Sequence, residues 1–407
     1  MCPSYRVTRD ERDVTRGRAN TLRLAITGQL GPDAFTSDDM AETLKLCVSC
    51  KACRRECPTG VDMARMKIEV MRARSEKFGL SLHDRLVGYL PRYAPYAARV
   101  PWLVNLRDRL PGAARWSEAI AGFSAQRSLP KWRPDYFRDP DPAWPGLSGH
   151  DGGDHPDVVL FVDTFNRYFE RENVDAALKV LGSAGYRVHV ATPKDGGRPL
   201  CCGRTFLSVG KVDEARVEAE RTLAALAPYA ADGLPIVGLE PSCLFSFRDE
   251  IPSLIKSDTA RSVAQAAVLF EELLARAAAA GKLDLKLAPM KKRVMLHGHC
   301  HQKSFDTMGA VESALTIIPD LEVTMIESSC CGMAGAFGYD AGTIDVSRAM
   351  GELSLLPAVR KADADDIIVA DGTSCRHQIK DGTGREAVHV ARVLAMSVEA
   401  TRTSSAQ

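Results

Sequence analysis

PLCCGRTFLSVGKVDEAR (199–216) and SSCCGMAGAFGYDAGTIDVSR (328–348) share a plan: two adjacent cysteines, a glycine, then a stretch with helical spacing. The likeness extends to both sides. PIVGLEPSC (235–243) pairs with DIIVADGTSC (366–375), and VVLFVDT (158–164) pairs with VMLHGHC (294–300). From the second Cys of each CCG to the later Cys is 41 residues in one copy and 44 in the other. Around these landmarks, short β-rich runs alternate with helical ones. The first copy reads VVLFV (158–162), a helix near 171–184, YRVHVA (186–191), a helix near 211–230, PIVGLE (235–240) and a long helix near 259–280. The second reads RVMLH (293–297), a helix near 308–317, LEVTMIE (321–327), a helix near 342–359, DIIVAD (366–371) and a closing helix near 384–399. Alternating strands and helices predict parallel sheets covered by helices, and the recurrence predicts two similar α/β lobes. Each cysteine follows a strand, at the carboxyl edge of its sheet, where open α/β folds bind their ligands.

Upstream the texture differs. DMARMKIEVMRARSEKF (62–78) has helical periodicity, and 83–125 reads as helix broken by prolines. RSLPKWRPDYFRDPDPAWPGLSGHDGGDHPD (127–157) has the Pro, Gly and Asp content of a linker. The expected division is 1–85, an N-terminally incomplete cysteine domain; 86–156, a helical segment and linker; 157–285, lobe 1; and 286–407, lobe 2. The fold class is α/β, with a mostly helical N-terminal domain ahead of the lobes.

Lys+Arg (53) and Asp+Glu (52) nearly cancel over 407 residues, which gives no electrostatic case for nucleic acid or an anionic membrane surface. ARSVAQAAVLFEELLARAAAAG (260–281) is apolar but interrupted by Arg261, Glu271, Glu272 and Arg276, so it reads as amphipathic and no transmembrane segment is expected. The start lacks the apolar run of a signal peptide. A cytoplasmic location follows, with peripheral attachment to the inner face of the membrane left open. In a reducing compartment twelve cysteines suggest metal or redox chemistry rather than disulfides.

CVSCKACRRECP (47–58) is C-x2-C-x2-C-x3-C-P, the ferredoxin run for a 4Fe–4S cluster. A structural zinc site would favour two separated C-x2-C pairs. In two-cluster ferredoxins the fourth Cys of each run ligates the other cluster. Cys47, Cys50 and Cys53 then need a closing Cys-Pro from another run, and Cys2-Pro3 is such an end. The fourth ligand is Cys2 on this reading and Cys57 on the simpler one; cross-ligation by Cys2 is preferred. Met1 would then be an internal methionine or the scar of a split gene, with the rest of the run upstream.

The CCG pairs resemble the cysteine-rich domains found in three proteins: the iron–sulfur subunit of glycolate oxidase, the C subunit of anaerobic glycerol-3-phosphate dehydrogenase, and the B subunit of heterodisulfide reductase. CPSYRVTRDERDVTRGRANTLR (2–23), HGHCHQKS (297–304), CCGMAGAFGYD (330–340) and ADGTSCRHQIK (370–380) resemble the C-terminal iron–sulfur half of fused FAD dehydrogenases for D-2-hydroxy acids, such as D-lactate and D-2-hydroxyglutarate. This resemblance implies electron transport from a flavin to an acceptor such as a quinone. With no G-x-G-x-x-G after a strand, and GTGR (382–385) reading as a turn, FAD is expected on a partner subunit or missing upstream domain. Alone, the chain is not expected to oxidise substrate. The family pattern is an upstream Cys, CCG and C-x2-C. Lobe 2 keeps Cys300, Cys330, Cys331 and Cys375, with Gly372 in place of one Cys, enough for a second iron–sulfur cluster. Lobe 1 keeps Cys201, Cys202 and Cys243, with Thr164 and Glu240 at the other positions. It holds either a cluster or the packed thiols of a decayed repeat.

His297, His299 and His301 surround Cys300. If the stretch is extended, all three imidazoles share one face opposite Cys300, as hydrogen-bond donors to a cluster, proton carriers or plain satisfied histidines. Arg54 and Arg55 lie in the ferredoxin run, where they raise a cluster's potential, meet a partner or are simply solvated. The arginines of 65–115 alternate with Asp and Glu, as on a solvated or interdomain surface. Two other functions stand beside electron transfer: a disulfide reductase like heterodisulfide reductase, which needs a complete five-Cys lobe, and a non-catalytic zinc module.

Overall fold

VVLFV and RVMLH become central strands because they are apolar nearly throughout, as strands covered on both faces must be. The computed structural model describes residues 2–139 and 156–404, without the side chains of 399–404. In lobe 1, β1 (Asp157–Phe161) lies between β2 (Arg187–Val190) and β3 (Ile236–Gly238), and β4 (Ala267–Leu269) takes the far edge. Lobe 2 repeats the order: β5 (Arg293–Leu296) lies between β6 (Glu322–Met325) and β7 (Ile367–Val369), with β8 (Ala387–Val388) outside. Every pairing is parallel, with Val159 opposite Ile236 and Val294 opposite Ile367. The chain leaves the first strand of each lobe to one side and returns on the other. The loops after β1 and β3, and after β5 and β7, therefore flank a switch point, and the later cysteines sit there.

The lobes share one core. Val158, Leu160, Val174, Leu181, Phe270 and Leu274 of lobe 1 pack in one buried cluster with Val311, Leu315, Val390 and Leu394 of lobe 2. The contacts are reciprocal. The first long helix of lobe 1 (Arg171–Ser183) packs on the last helix of lobe 2 (Val390–Ser404), and the last of lobe 1 (Phe270–Ala279) on an early helix of lobe 2 (Met308–Thr316). Such exchange is the signature of two-fold pairing.

Three expected helices are corrected. The helix near 259–280 is two, Asp258–Ala266 and Phe270–Ala279, divided by β4. Ala267–Val268–Leu269 is fully apolar and extends to pair with β3, which outweighs helical periodicity. The helix near 384–399 starts at Val390, because Ala387–Val388 forms β8. Each lobe thus has four strands, not the three its sequence displays. The helix near 342–359 is Ile344–Glu352 and Leu355–Lys361. Pro357 has no N–H for the Leu353 carbonyl, and its ring crowds that carbonyl.

The N-terminal domain is helical, comprising Pro3–Thr8, Thr15–Ile26, Asp38–Lys45, Ala52–Glu56 and Met63–Phe78 around Leu22, Met40, Leu44, Met63 and Val70. Asp62 caps the helix after the ferredoxin run, accepting from the Ala64 and Arg65 amides at 3.0 and 3.2 Å. An arch follows (Leu82–Gly88, Leu90–Ala97, Pro101–Val104, Ala113–Ala121), with Pro91 and Pro101 in first helical turns. The first part of the expected linker is anchored. Trp132 and Phe137 are buried, and Arg127 donates to Gly338 O (2.7 Å) and Gln378 Oε1 (2.8 Å). Residues 140–155 and Met1 lie outside the described residues. No described helix is long and apolar enough to cross a membrane.

Candidate metal centres

In the ferredoxin run, Ser49 and Lys51 take positive φ (50° and 60°), curling 47–53 into a tight loop before the helix Ala52–Glu56. Cys50 is pushed well above its usual range by burial first, then by charge on Cys300, Cys47 and Cys2. Burial likewise raises Cys53, with Cys47 and Cys2 adding to it. Cys2, Cys47, Cys50 and Cys53 therefore share one neighbourhood. Cys2 precedes the helix Pro3–Thr8, its Sγ 3.1 Å from Thr15 Oγ1 and 3.8 Å from Arg18 Nη1. The buried Arg18 also donates to Thr43 O (3.1 Å) and Ser4 Oγ (3.0 Å), tying the Cys2 turn to the helix that leads into Cys47. Cys57 is elsewhere. Its Sγ makes an exposed 3.1 Å contact with Thr59 Oγ1, and that bond, with the Val61 amide, lowers its thiol.

In lobe 2, β5 delivers Cys300, the turn after β6 delivers Cys330 and Cys331, and the helix after β7 (Thr373–Thr383) delivers Cys375. Their thiols form a chain. Cys330 bonds to Cys300 and brings it down to about 6 against burial, helped by His299. Cys330 and Cys375 both bond to Cys331 and, against burial, hold it well below the usual thiol range. The partners that donate, Cys330 and Cys375, are raised. Gly332, at φ +90°, permits the turn, since a Cβ there would meet Ser347 O at 2.3 Å. Its amide donates to Cys330 Sγ at 3.4 Å. Four convergent thiols, two held toward thiolate, with a backbone N–H on sulfur, fit an iron–sulfur group.

Lobe 1 repeats the turn, down to Gly203 N donating to Cys201 Sγ at 3.5 Å, but not the charge. Cys201, Cys202 and Cys243 bond in series and all are raised. Cys202's bond lowers Cys243, but burial and the charges of Asp163 and Glu240 outweigh it and push the thiol up to about 12. Glu240, at a family Cys position, does another task. Its Oε2 accepts the Thr373 amide (2.8 Å), capping the helix that carries Cys375 in the other lobe.

The N-terminal and lobe 2 sites adjoin. Ser304 Oγ donates to Cys50 O (2.8 Å), His301 Nε2 lies 3.1 Å from Ser49 O, and Arg55 donates to Lys303 O and pairs with Asp306 (3.0 Å). Arg54 lies over the Phe305 ring, 5.5 Å from its centroid, and pairs with Asp249 at 2.6 Å, so both arginines knit domains together. A cavity of about 530 Å³ is lined by Cys50, Cys300 and Cys330. A second, about 700 Å³, is lined by Cys47 and by cysteines of both lobes, under the inner faces of the arch.

The histidines are corrected too. Residue 300 begins a helix (Cys300–Ser304), so the stretch does not stay extended; His299 and His301 meet edge to face with centroids 5.2 Å apart, and His297 turns to other partners. His297 faces Ser328 and Cys331, His301 faces Ser49 and Arg204, and His299 caps the helix, its Nδ1 accepting the His301 amide (3.2 Å). All three are buried. Gly372 lies under His299, and a Cβ there would meet His299 Cδ2 at 2.4 Å. Lys303, unremarked in the sequence, carries its ammonium among Cys375, Cys300, Cys330 and Cys331. It sits three residues after Cys300, a spacing that returns it to the same helix face.

Residues 1–61 match the 4Fe-4S dicluster domain family and residues 294–380 the Cysteine-rich domain family. The chain is 26% identical to a D-2-hydroxyglutarate dehydrogenase of Pseudomonas putida over 97% of its own length and 41% of that protein's. It thus spans well under half of that relative. It is 27% identical to the C subunit of the anaerobic glycerol-3-phosphate dehydrogenase of Escherichia coli K12, over 83% of its own length and 81% of that protein's. With the probable glycolate oxidase iron-sulfur subunit of Bacillus subtilis it shares 25% identity over 97% and 90%. With a dicluster domain ahead of two α/β lobes, the second of which matches the cysteine-rich family, this chain is an iron–sulfur protein similar to components of these dehydrogenases and oxidases.

Proposed function

We propose that the chain carries single electrons from a flavin-dependent D-2-hydroxy-acid dehydrogenase, on a partner subunit or another part of a longer chain, to an acceptor such as a quinone. The observation that carries this reading is the adjacency of Cys50 and Cys300, near enough for charge on one thiol to shift the other. Bound iron–sulfur clusters supply one-electron redox chemistry. The protein's own part is to hold Cys2, Cys47, Cys50 and Cys53 beside Cys300, Cys330, Cys331 and Cys375, and to bury the sulfurs. Cys2 is the fourth ligand of the first group, because Cys57 points to Thr59. A disulfide reductase is disfavoured, since Gly372 under His299 leaves no room for a fifth cysteine.

The test is spectroscopic and kinetic. Anaerobically purified protein should be brown, hold two reducible clusters, and accept electrons from a D-2-hydroxy acid only when its flavoprotein is added. Colourless protein containing zinc would sink the proposal.

We also propose peripheral attachment to a membrane through the outer face of the arch. Trp102 (62% exposed), Trp116 (71%), Leu103, Leu110 and Ile120 face outward there. Residues 91–117 carry five arginines and one aspartate, and the exposed Arg109 and Arg115 side chains have no ion pair with a described residue. Exposed aromatic and aliphatic side chains among arginines suit the interface of an anionic bilayer. The protein should float with phosphatidylglycerol-containing vesicles and not with phosphatidylcholine alone. A Trp102→Ser/Trp116→Ser variant that floats equally well would refute this.

A further inference from the structure

His297, 1% exposed, follows β5 directly. Its Nδ1 lies 2.7 Å from Ser328 Oγ. The Ser328 hydroxyl donates its own hydrogen to Ile326 O at 3.2 Å, and Lys303 Nζ approaches it as a second donor at 3.4 Å. Toward the imidazole that oxygen therefore accepts, so Nδ1 carries the proton and Nε2 has a bare lone pair. This Nε2 is buried without a hydrogen-bond partner. The His297 ring belongs to a group with Cys331 and Cys375 in which one donor atom of each residue lies within 4.8 Å of the others.

We infer that His297 Nε2 is a nitrogen ligand to iron in lobe 2, beside the thiolates of Cys300, Cys330, Cys331 and Cys375; this rests on the reading of lobe 2 as an iron–sulfur site. Three features converge on it. A ligating imidazole usually donates its other N–H to a fixed oxygen, as His297 does to Ser328. A buried nitrogen with no partner is destabilising, and a metal ion removes that penalty. The fifth position is otherwise closed, because His299 covers Gly372. The fifth donor then comes from the β5 side of the switch point instead of the β7 side.

The experiment is pulsed electron paramagnetic resonance on the reduced full-length protein with ¹⁵N-labelled histidine, beside iron analysis. A strong coupling from directly bonded nitrogen is expected in the wild type. It should vanish in His297→Cys, which keeps its iron, and in His297→Ala, which loses iron from lobe 2. Ser328→Ala should weaken iron retention by about 10–100-fold, the usual effect of losing an outer hydrogen-bond partner. Iron that is lost on Cys331→Ser, without strong nitrogen coupling in the wild type, overturns this inference alone. So does a coupling that survives in His297→Cys. Iron content unchanged by Cys331→Ser overturns the underlying reading as well.

Discussion

Lobes 1 and 2 share strand order, the CCG turn and the helix that presents the later cysteine, yet their sulfurs differ in chemical state. In lobe 2, bonds from Cys330 and Cys375 draw Cys300 and Cys331 toward thiolate. In lobe 1 all three thiols are raised, Cys201 by its bond to Cys202 and by burial, Cys202 by its bond to Cys243 and by burial, and Cys243 by burial and the Asp163 and Glu240 carboxyls. The same backbone turn thus sits in two charge environments, and the one that favours sulfur anions is the better suited to a metal. Glu240 illustrates the exchange, since the carboxylate where a cysteine is expected caps the helix of the other lobe.

The sharpest way to break this comparison is one substitution in each lobe. Cys331→Ser should remove the lobe 2 iron completely, whereas Cys202→Ser should leave total iron unchanged; equal losses would make the lobes equivalent. The next contrast lies in the N-terminal domain. Cys2→Ala should empty the 47–53 site and Cys57→Ala should not, as iron per chain and the visible spectrum report.

Two smaller effects probe the seam between the lobes. Glu271 is fully buried, neither carboxyl oxygen has a hydrogen bond, and His389 Nε2 is 3.7 Å away. Burial first, then Asp371, raises its carboxyl well above 4.5. The folded chain keeps a proton there that the unfolded chain has released. Stability is therefore full below 4.5 and falls as pH rises toward the raised value, by up to about 1.4 kcal/mol per pH unit. Glu271→Gln should flatten that slope and raise the unfolding midpoint at neutral pH. Glu240→Ala, which uncaps the Thr373 amide of lobe 2 and the Ser242 amide of its own lobe, should destabilise by about 1 kcal/mol in denaturant titrations.

The repeat, the sheet edges and the grouping of cysteines were legible because strand runs and CCG turns are local. β4 and β8 were not, because two or three apolar residues beside a helix carry no period of their own. Their strand state comes from pairing with β3 and β7. The histidines were misread for a similar reason. Cys300 starts a helix that packs the His299 and His301 rings edge to face and leaves His297 with Ser328, which no alternation rule anticipates.

The reciprocal helix packing has a consequence for the order of assembly. The core of lobe 1 is closed by side chains between Val390 and Val398, so neither lobe can finish folding until that helix has been synthesised. Residues 2–57 are available far earlier. Iron would therefore enter this protein in two instalments, first at the N-terminal loop during synthesis and then in lobe 2 once the final helix has docked.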